Sequence, residues 1–127
     1  MTAPVPEQWA NRARYDLETA QAMLDSERFL YVLFCCQQAV EKMLKGVIAA
    51  RTGEFPPRLH NLMQLAKHAG LEPDTRQARL MRELSEYYVQ SRYPEQIEAA
   101  FSEVPRETAR EALDQTEAMV QWLSSMM

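Results

Sequence analysis

Residues 29–52 read FLYVLFCCQQAVEKMLKGVIAART, and this stretch decides the fold. Phe29, Val32, Leu33, Cys36, Val40, Met43, Leu44 and Val47 recur at steps of three and four, with Leu30, Phe34 and Ile48 widening the band. That rhythm is the period of an α-helix set against a core. So broad a band belongs to the central element of a bundle. Gly53 supplies the stop, because glycine accepts the left-handed conformation just past a helix end. Gly46 sits inside the helix, where it costs roughly 1 kcal/mol against alanine. Close approach by another helix is the reason expected for it.

Working outward, the seven prolines at 4, 6, 56, 57, 73, 94 and 105 act as punctuation, since proline inside a helix removes a hydrogen bond. A first helix is expected from near Pro6 to near Ser26, with Trp9, Ala13, Leu17, Ala20 and Leu24 inward and an Arg14–Glu18 pair outward. The central helix should run from about Arg28 to Arg51. A short third helix, about His60 to Ala69, carries Leu62, Leu65 and Ala66 and closes at Gly70. Asp74 or Thr75 caps a fourth, which carries Leu80, Leu84, Tyr87 and Tyr88 and ends before Pro94. Residues 94–104 read as a connection with a turn of helix near 96–101. The last helix follows Pro105, a residue suited to the first helical position, and buries Ala109, Leu113, Thr116, Val120 and Leu123.

Ala, Leu, Met, Glu and Gln make up 61 of the 127 residues, against 15 for Val, Ile and Thr, which favours helix throughout. The expected fold is all-α: an antiparallel up-and-down bundle of four long helices plus one short helix. A chain of 127 residues has room for one domain, expected to span 1–127.

Composition also excludes. The net charge of −4 argues against an extended nucleic-acid surface, although it permits a small basic pocket. Phe29–Cys36 is an apolar run of eight residues, short of the roughly 20 that span a bilayer. With no basic-then-apolar leader, a cytoplasmic location and no membrane partner are expected. Cys35 and Cys36 are adjacent, and neighbours on a helix point about 100° apart, so no unstrained disulfide joins them. They read as packing residues. There is no G-x-x-x-x-G-K, H-E-x-x-H or G-x-S-x-G, and His60 and His68 stand eight apart, too far for a metal pair on one helix face. No metal or required cofactor is expected.

Four polar groups remain as candidates. Gln38, Glu41, Lys42 and Lys45 fall on one narrow face of the central helix. Either Glu41–Lys45 is an ordinary solvated ion pair, or Lys42 and Lys45 bind a phosphate or a partner's carboxylate. His60 caps or packs, or else joins Arg58 in holding an anion at a helix start; His68 complements the far end of that helix. Arg92 ends the fourth helix beside Tyr87, Tyr88 and Tyr93, where it either satisfies the helix terminus or grips a phosphate while a tyrosine stacks a base. Arg76, Arg79 and Arg82 form a row that Glu83 and Glu86 neutralise at (i, i+4).

Ala13-Arg14-Tyr15-Asp16-Leu17 with Ala20, Gln37-Gln38-Ala39-Val40-Glu41-Lys42 with Lys45, His60-Asn61-Leu62 with Leu65, and Arg92-Tyr93-Pro94 occur in the order seen in HEPN domains. The chain resembles that family over about residues 9–123. The resemblance implies a helical bundle that forms homodimers and a small prokaryotic protein paired with a minimal nucleotidyltransferase, as in toxin–antitoxin cassettes. It further implies nucleotide as the candidate ligand, with Lys42, Lys45, His60 and Arg92 as the binding set. Ribonuclease members carry Arg, four to six residues, then His. Arg92 matches by position, but Ile97, Glu98 and Ala99 stand where the histidine would fall. The reading is therefore a non-catalytic partner protein. The alternatives are a ribonuclease toxin with a degenerate site built on Arg92, His60 or Tyr93, and a purely structural dimerisation module.

Overall fold

The computed structural model describes residues 4–90 and 104–127, and every regular element among them is a helix. In order these are α1 (Val5–Asp25), α2 (Phe29–Thr52), α3 (Leu62–His68), α4 (Thr75–Gln90) and α5 (Arg106–Ser124). The expected connection at 94–104 lies outside the described residues except for Val104, and its turn of helix at 96–101 wholly so.

Helices α1 and α2 form a hairpin. Three residues join them, Ser26, Glu27 and Arg28. Arg28 N–H donates to Met23 O (2.8 Å) and Glu27 N–H to Leu24 O (3.1 Å), a Schellman closure that needs a left-handed residue. Glu27 takes that role at φ 62°, the only non-glycine among the described residues with positive φ. Gly46 lets α1 lie close: a Cβ there would sit 3.1 Å from Trp9 Cβ and 3.2 Å from Pro6 O. The close approach expected of Gly46 is made by α1.

Helix α2 is central and packs against each of the other four. Its Val32, Leu33, Cys36, Val40, Met43, Leu44 and Val47 are buried against Leu24 of α1, Leu62 and Leu65 of α3, Leu80, Met81 and Leu84 of α4, and Leu113 and Leu123 of α5. The broad apolar band of α2 is thus covered within one chain, as expected of the central element of a bundle. At roughly 1.5–3 kcal/mol for each buried large apolar side chain, this single seam dominates stability.

Local signals set the boundaries. Helix α3 begins two residues later than expected, because Asn61 is its cap and accepts from Gln64 N–H at 3.0 Å. It closes at Gly70 (φ 73°) with Leu71 N–H reaching Ala66 O. Asp74 caps α4 in a reciprocal pair: its carboxylate accepts from Gln77 N–H (2.8 Å), and Gln77 Oε1 accepts from Asp74 N–H (2.9 Å). Pro105 stands at the N-cap of α5, one position before the one expected. Arg14 donates to Asn11 rather than pairing with Glu18. Among the described residues no helix is long and apolar enough to cross a membrane.

Candidate functional site

A line of polar side chains runs through the core face of α2. Gln37, Glu41 and Lys45 are spaced one turn apart and are 0%, 5% and 9% exposed. Lys45 Nζ lies 3.1 Å from Glu41 Oε2. Gln37 Nε2 donates to Glu41 Oε1 (3.0 Å) and to the backbone carbonyl of His60 (3.1 Å). His60 Nδ1 lies 3.1 Å from the same Oε1. With Gln37 and Lys45 both donating to it, Glu41 is an acceptor-only carboxylate, so His60 Nδ1 is the donor. That assignment leaves His60 Nε2 at the outer edge of the ring.

Aromatic rings frame this line. Lys45 Nζ sits 5.7 Å from the Trp9 ring centre, within cation–π range. The His60 ring is 5.2 Å from that of Tyr88, which stacks on Phe34 at 5.9 Å. His60 opens onto a cleft of about 420 Å³ shared with Asn61, Arg82, Ser85 and Tyr88. Ser85 Oγ accepts from Leu62 N–H at 3.2 Å and so ties α4 to the start of α3.

The sequence-derived face divides in two. Each residue turns about 100° around a helix, so Gln38 and Lys42 point away from the line made by Gln37, Glu41 and Lys45. Gln38 reaches sideways to Gln37 Oε1 (2.7 Å). Lys42 reaches α1, with Nζ 2.6 Å from Asp16 Oδ2. The Glu41–Lys45 pair forms as expected, but it is buried rather than solvated. His60 lies ahead of the α3 cap and faces a carboxylate rather than opening the helix to an anion; Arg58 is exposed. Arg92 and Tyr93 lie outside the described residues. Of their expected companions, Tyr88 joins His60, whereas Tyr87 faces a separate cleft between α4 and α5. Arg76 and Arg79 line that second cleft and Arg82 the first, so the arginine row serves two surfaces. Arg79–Glu83 is not among the ion pairs of the described residues.

The cysteines are inert. Burial pushes the Cys35 thiol up to about 11 and the Cys36 thiol to about 12, so neither offers a thiolate near neutral pH. Thr116 of α5 lies beside Cys36 and acts in the lowering direction. Its buried hydroxyl nonetheless makes no hydrogen bond of acceptable geometry. No cluster of metal-ligating side chains occurs among the described residues.

Gln37 and Asp16 are the participants that sequence reasoning left out. Gln37 was visible in principle, standing four residues before Glu41. Asp16 is 26 residues from Lys42, and only the hairpin brings them together.

A helical bundle with a buried Gln-Glu-Lys line on its central helix is the arrangement these residues build. The family model of the HEPN domain matches residues 6–126, and the chain belongs to the HEPN family. It is similar to the crystal structure of TT1696 from Thermus thermophilus, with 28% identity and a TM-score of 0.80 over 96% of this chain and 98% of that one. It shares its fold with the crystal structure of ST0689, described as an archaeal HEPN homologue, at 22% identity and a TM-score of 0.78 over 97% of this chain and 98% of that one. No curated protein matches the sequence.

Proposed function

We propose that this chain is a non-catalytic HEPN protein, one half of a two-component, toxin–antitoxin-like pair, and that it binds a minimal nucleotidyltransferase through protein contacts. The observation that favours protein binding over nucleotide binding is the state of its central lysines. Lys42 is 2.6 Å from Asp16 and Lys45 is 3.1 Å from Glu41. A nucleotide phosphate would have to displace a carboxylate already in place, and in the case of Glu41 a buried one. The incomplete Arg-x4–6-His pattern at Arg92 supports the non-catalytic part. A homodimer belongs to the same reading, and sedimentation of the chain alone checks it.

Calorimetric titration tests the proposal. A minimal nucleotidyltransferase encoded beside this chain should bind with saturable heat, while ATP, GTP and polyphosphate give none. Saturable nucleotide binding without any response to the protein would overturn it.

One observation favours a second reading, a ribonuclease with an unconventional site. Glu41 fixes the Nδ1 side of His60 and leaves Nε2 toward a cleft that Arg82 also lines, the geometry of an oriented general base. On that reading induced expression arrests growth and His60→Gln abolishes the arrest. Harmless expression without a partner would exclude it.

A further inference from the structure

A groove of about 970 Å³ follows the first three turns of α1 and is closed on one side by the loop after α2. Val5, Tyr15 and Phe55 line it and are 49%, 68% and 77% exposed. Half-buried Trp9 contributes to the same lining. Large apolar side chains gathered in one concavity mark an interaction surface, whereas the same residues scattered singly would not.

The charges select the occupant. The charged side chains lining the groove are Arg12, Asp16 and Lys42. Asp16 and Lys42 neutralise each other at 2.6 Å. Arg12 is exposed and forms no ion pair with a described residue. The groove is therefore locally cationic in a chain of net charge −4. A second copy docked by two-fold symmetry would have to answer each Arg12 from this same lining, whose one acid, Asp16, is already paired with Lys42. A different partner faces no such penalty.

We infer that the α1 groove docks an apolar segment of the partner protein, bearing a carboxylate that meets Arg12 between Tyr15 and Phe55. This rests on the partner reading proposed above and names the surface that serves it. Apolar anchors give the affinity, and the Arg12 contact gives register and salt dependence.

The test titrates the purified nucleotidyltransferase into the full-length chain and into Tyr15→Ser, Phe55→Ser and Arg12→Glu. All three side chains are exposed, so circular dichroism should show the helices intact. Tyr15→Ser and Phe55→Ser are each expected to weaken binding by about 10-fold or more, in the range of a loss at an interface anchor. Arg12→Glu should weaken it and flatten its dependence on salt. Variants that bind like the wild type would overturn the docking surface and leave the proposed function standing. A wild type that does not bind overturns the proposed function, and the partner named here falls with it. Should Tyr15→Ser or Phe55→Ser split a dimer of the chain alone, a second copy occupies the groove and the inference is overturned.

Discussion

His60 Nδ1 lies 3.1 Å from Oε1 of Glu41, and Gln37, one turn earlier, holds the backbone carbonyl of His60 at 3.1 Å. The segment between α2 and α3 is thereby fastened to the central helix by two side chains of that helix. The fastening depends on a buried carboxylate that Lys45 pairs with at 3.1 Å.

A nearly buried ion pair suffers more from the loss of one partner than from the loss of both. Glu41→Gln leaves Lys45 without a counter-charge at 9% exposure, and the expected loss is about 3–5 kcal/mol. The double change Glu41→Leu with Lys45→Met should recover most of it, because two apolar side chains of similar volume fit a site already walled by the core. Urea unfolding of the three proteins checks this. A double variant as unstable as Glu41→Gln would refute the argument.

Gly46 sets helix propensity against space. Alanine would gain roughly 1 kcal/mol of helix preference. Its Cβ would meet Trp9 Cβ at 3.1 Å and the backbone oxygen of Pro6 at 3.2 Å, and overpacking typically costs about 1–3 kcal/mol. The backbone contact cannot swing aside, so Gly46→Ala is expected to lower stability by about 1 kcal/mol. A raised melting temperature would contradict it.

Thr116 offers the opposite case. Its hydroxyl is buried without a hydrogen bond, and an unpaired buried hydroxyl costs about 1–3 kcal/mol. Thr116→Val is expected to stabilise by about 1 kcal/mol. Thermal unfolding of the variant checks this, and a lowered melting temperature would contradict it.

The cysteines give the alkaline limb of the stability curve its sign. Folding raises both thiols from 9.0, Cys35 to about 11 and Cys36 to about 12, in each case chiefly through burial. Below pH 9 both states keep their protons and the contribution is fully present. Above it the unfolded chain releases protons that the folded chain retains, so stability falls as pH rises toward 11–12. Cys36→Ala should lower stability at neutral pH, by loss of packing, yet flatten the alkaline decline. An equally steep decline in that variant would count against the assignment.

The sequence made the bundle legible because its signals are local. Gly53 and Gly70, the Asp74 cap and the three-four apolar rhythm each act within a turn or two, and all took their expected places. What failed was also instructive. Asn61 rather than His60 begins α3, since a carboxamide at the cap reaches Gln64 N–H while the imidazole turns to Glu41. The four polar residues of α2 read as one face because Glu41 and Lys45 do share a face, but Lys42 stands about 100° round the helix from Glu41 and is met there by another helix. No rule of spacing reveals that Asp16, on another helix, already holds that lysine.

The three-residue turn between α1 and α2 has a kinetic consequence. Joining two long helices through so short a link closes a small loop, and small loops carry little entropic penalty. The hairpin is therefore the expected nucleus, assembled before α5 returns from the far end of the chain. Truncations at Ala20 and Leu24 should slow refolding, whereas truncations at Leu113 and Leu123 should chiefly hasten unfolding. Glu27, held at φ 62° where glycine would sit without strain, is the pivot of that nucleus.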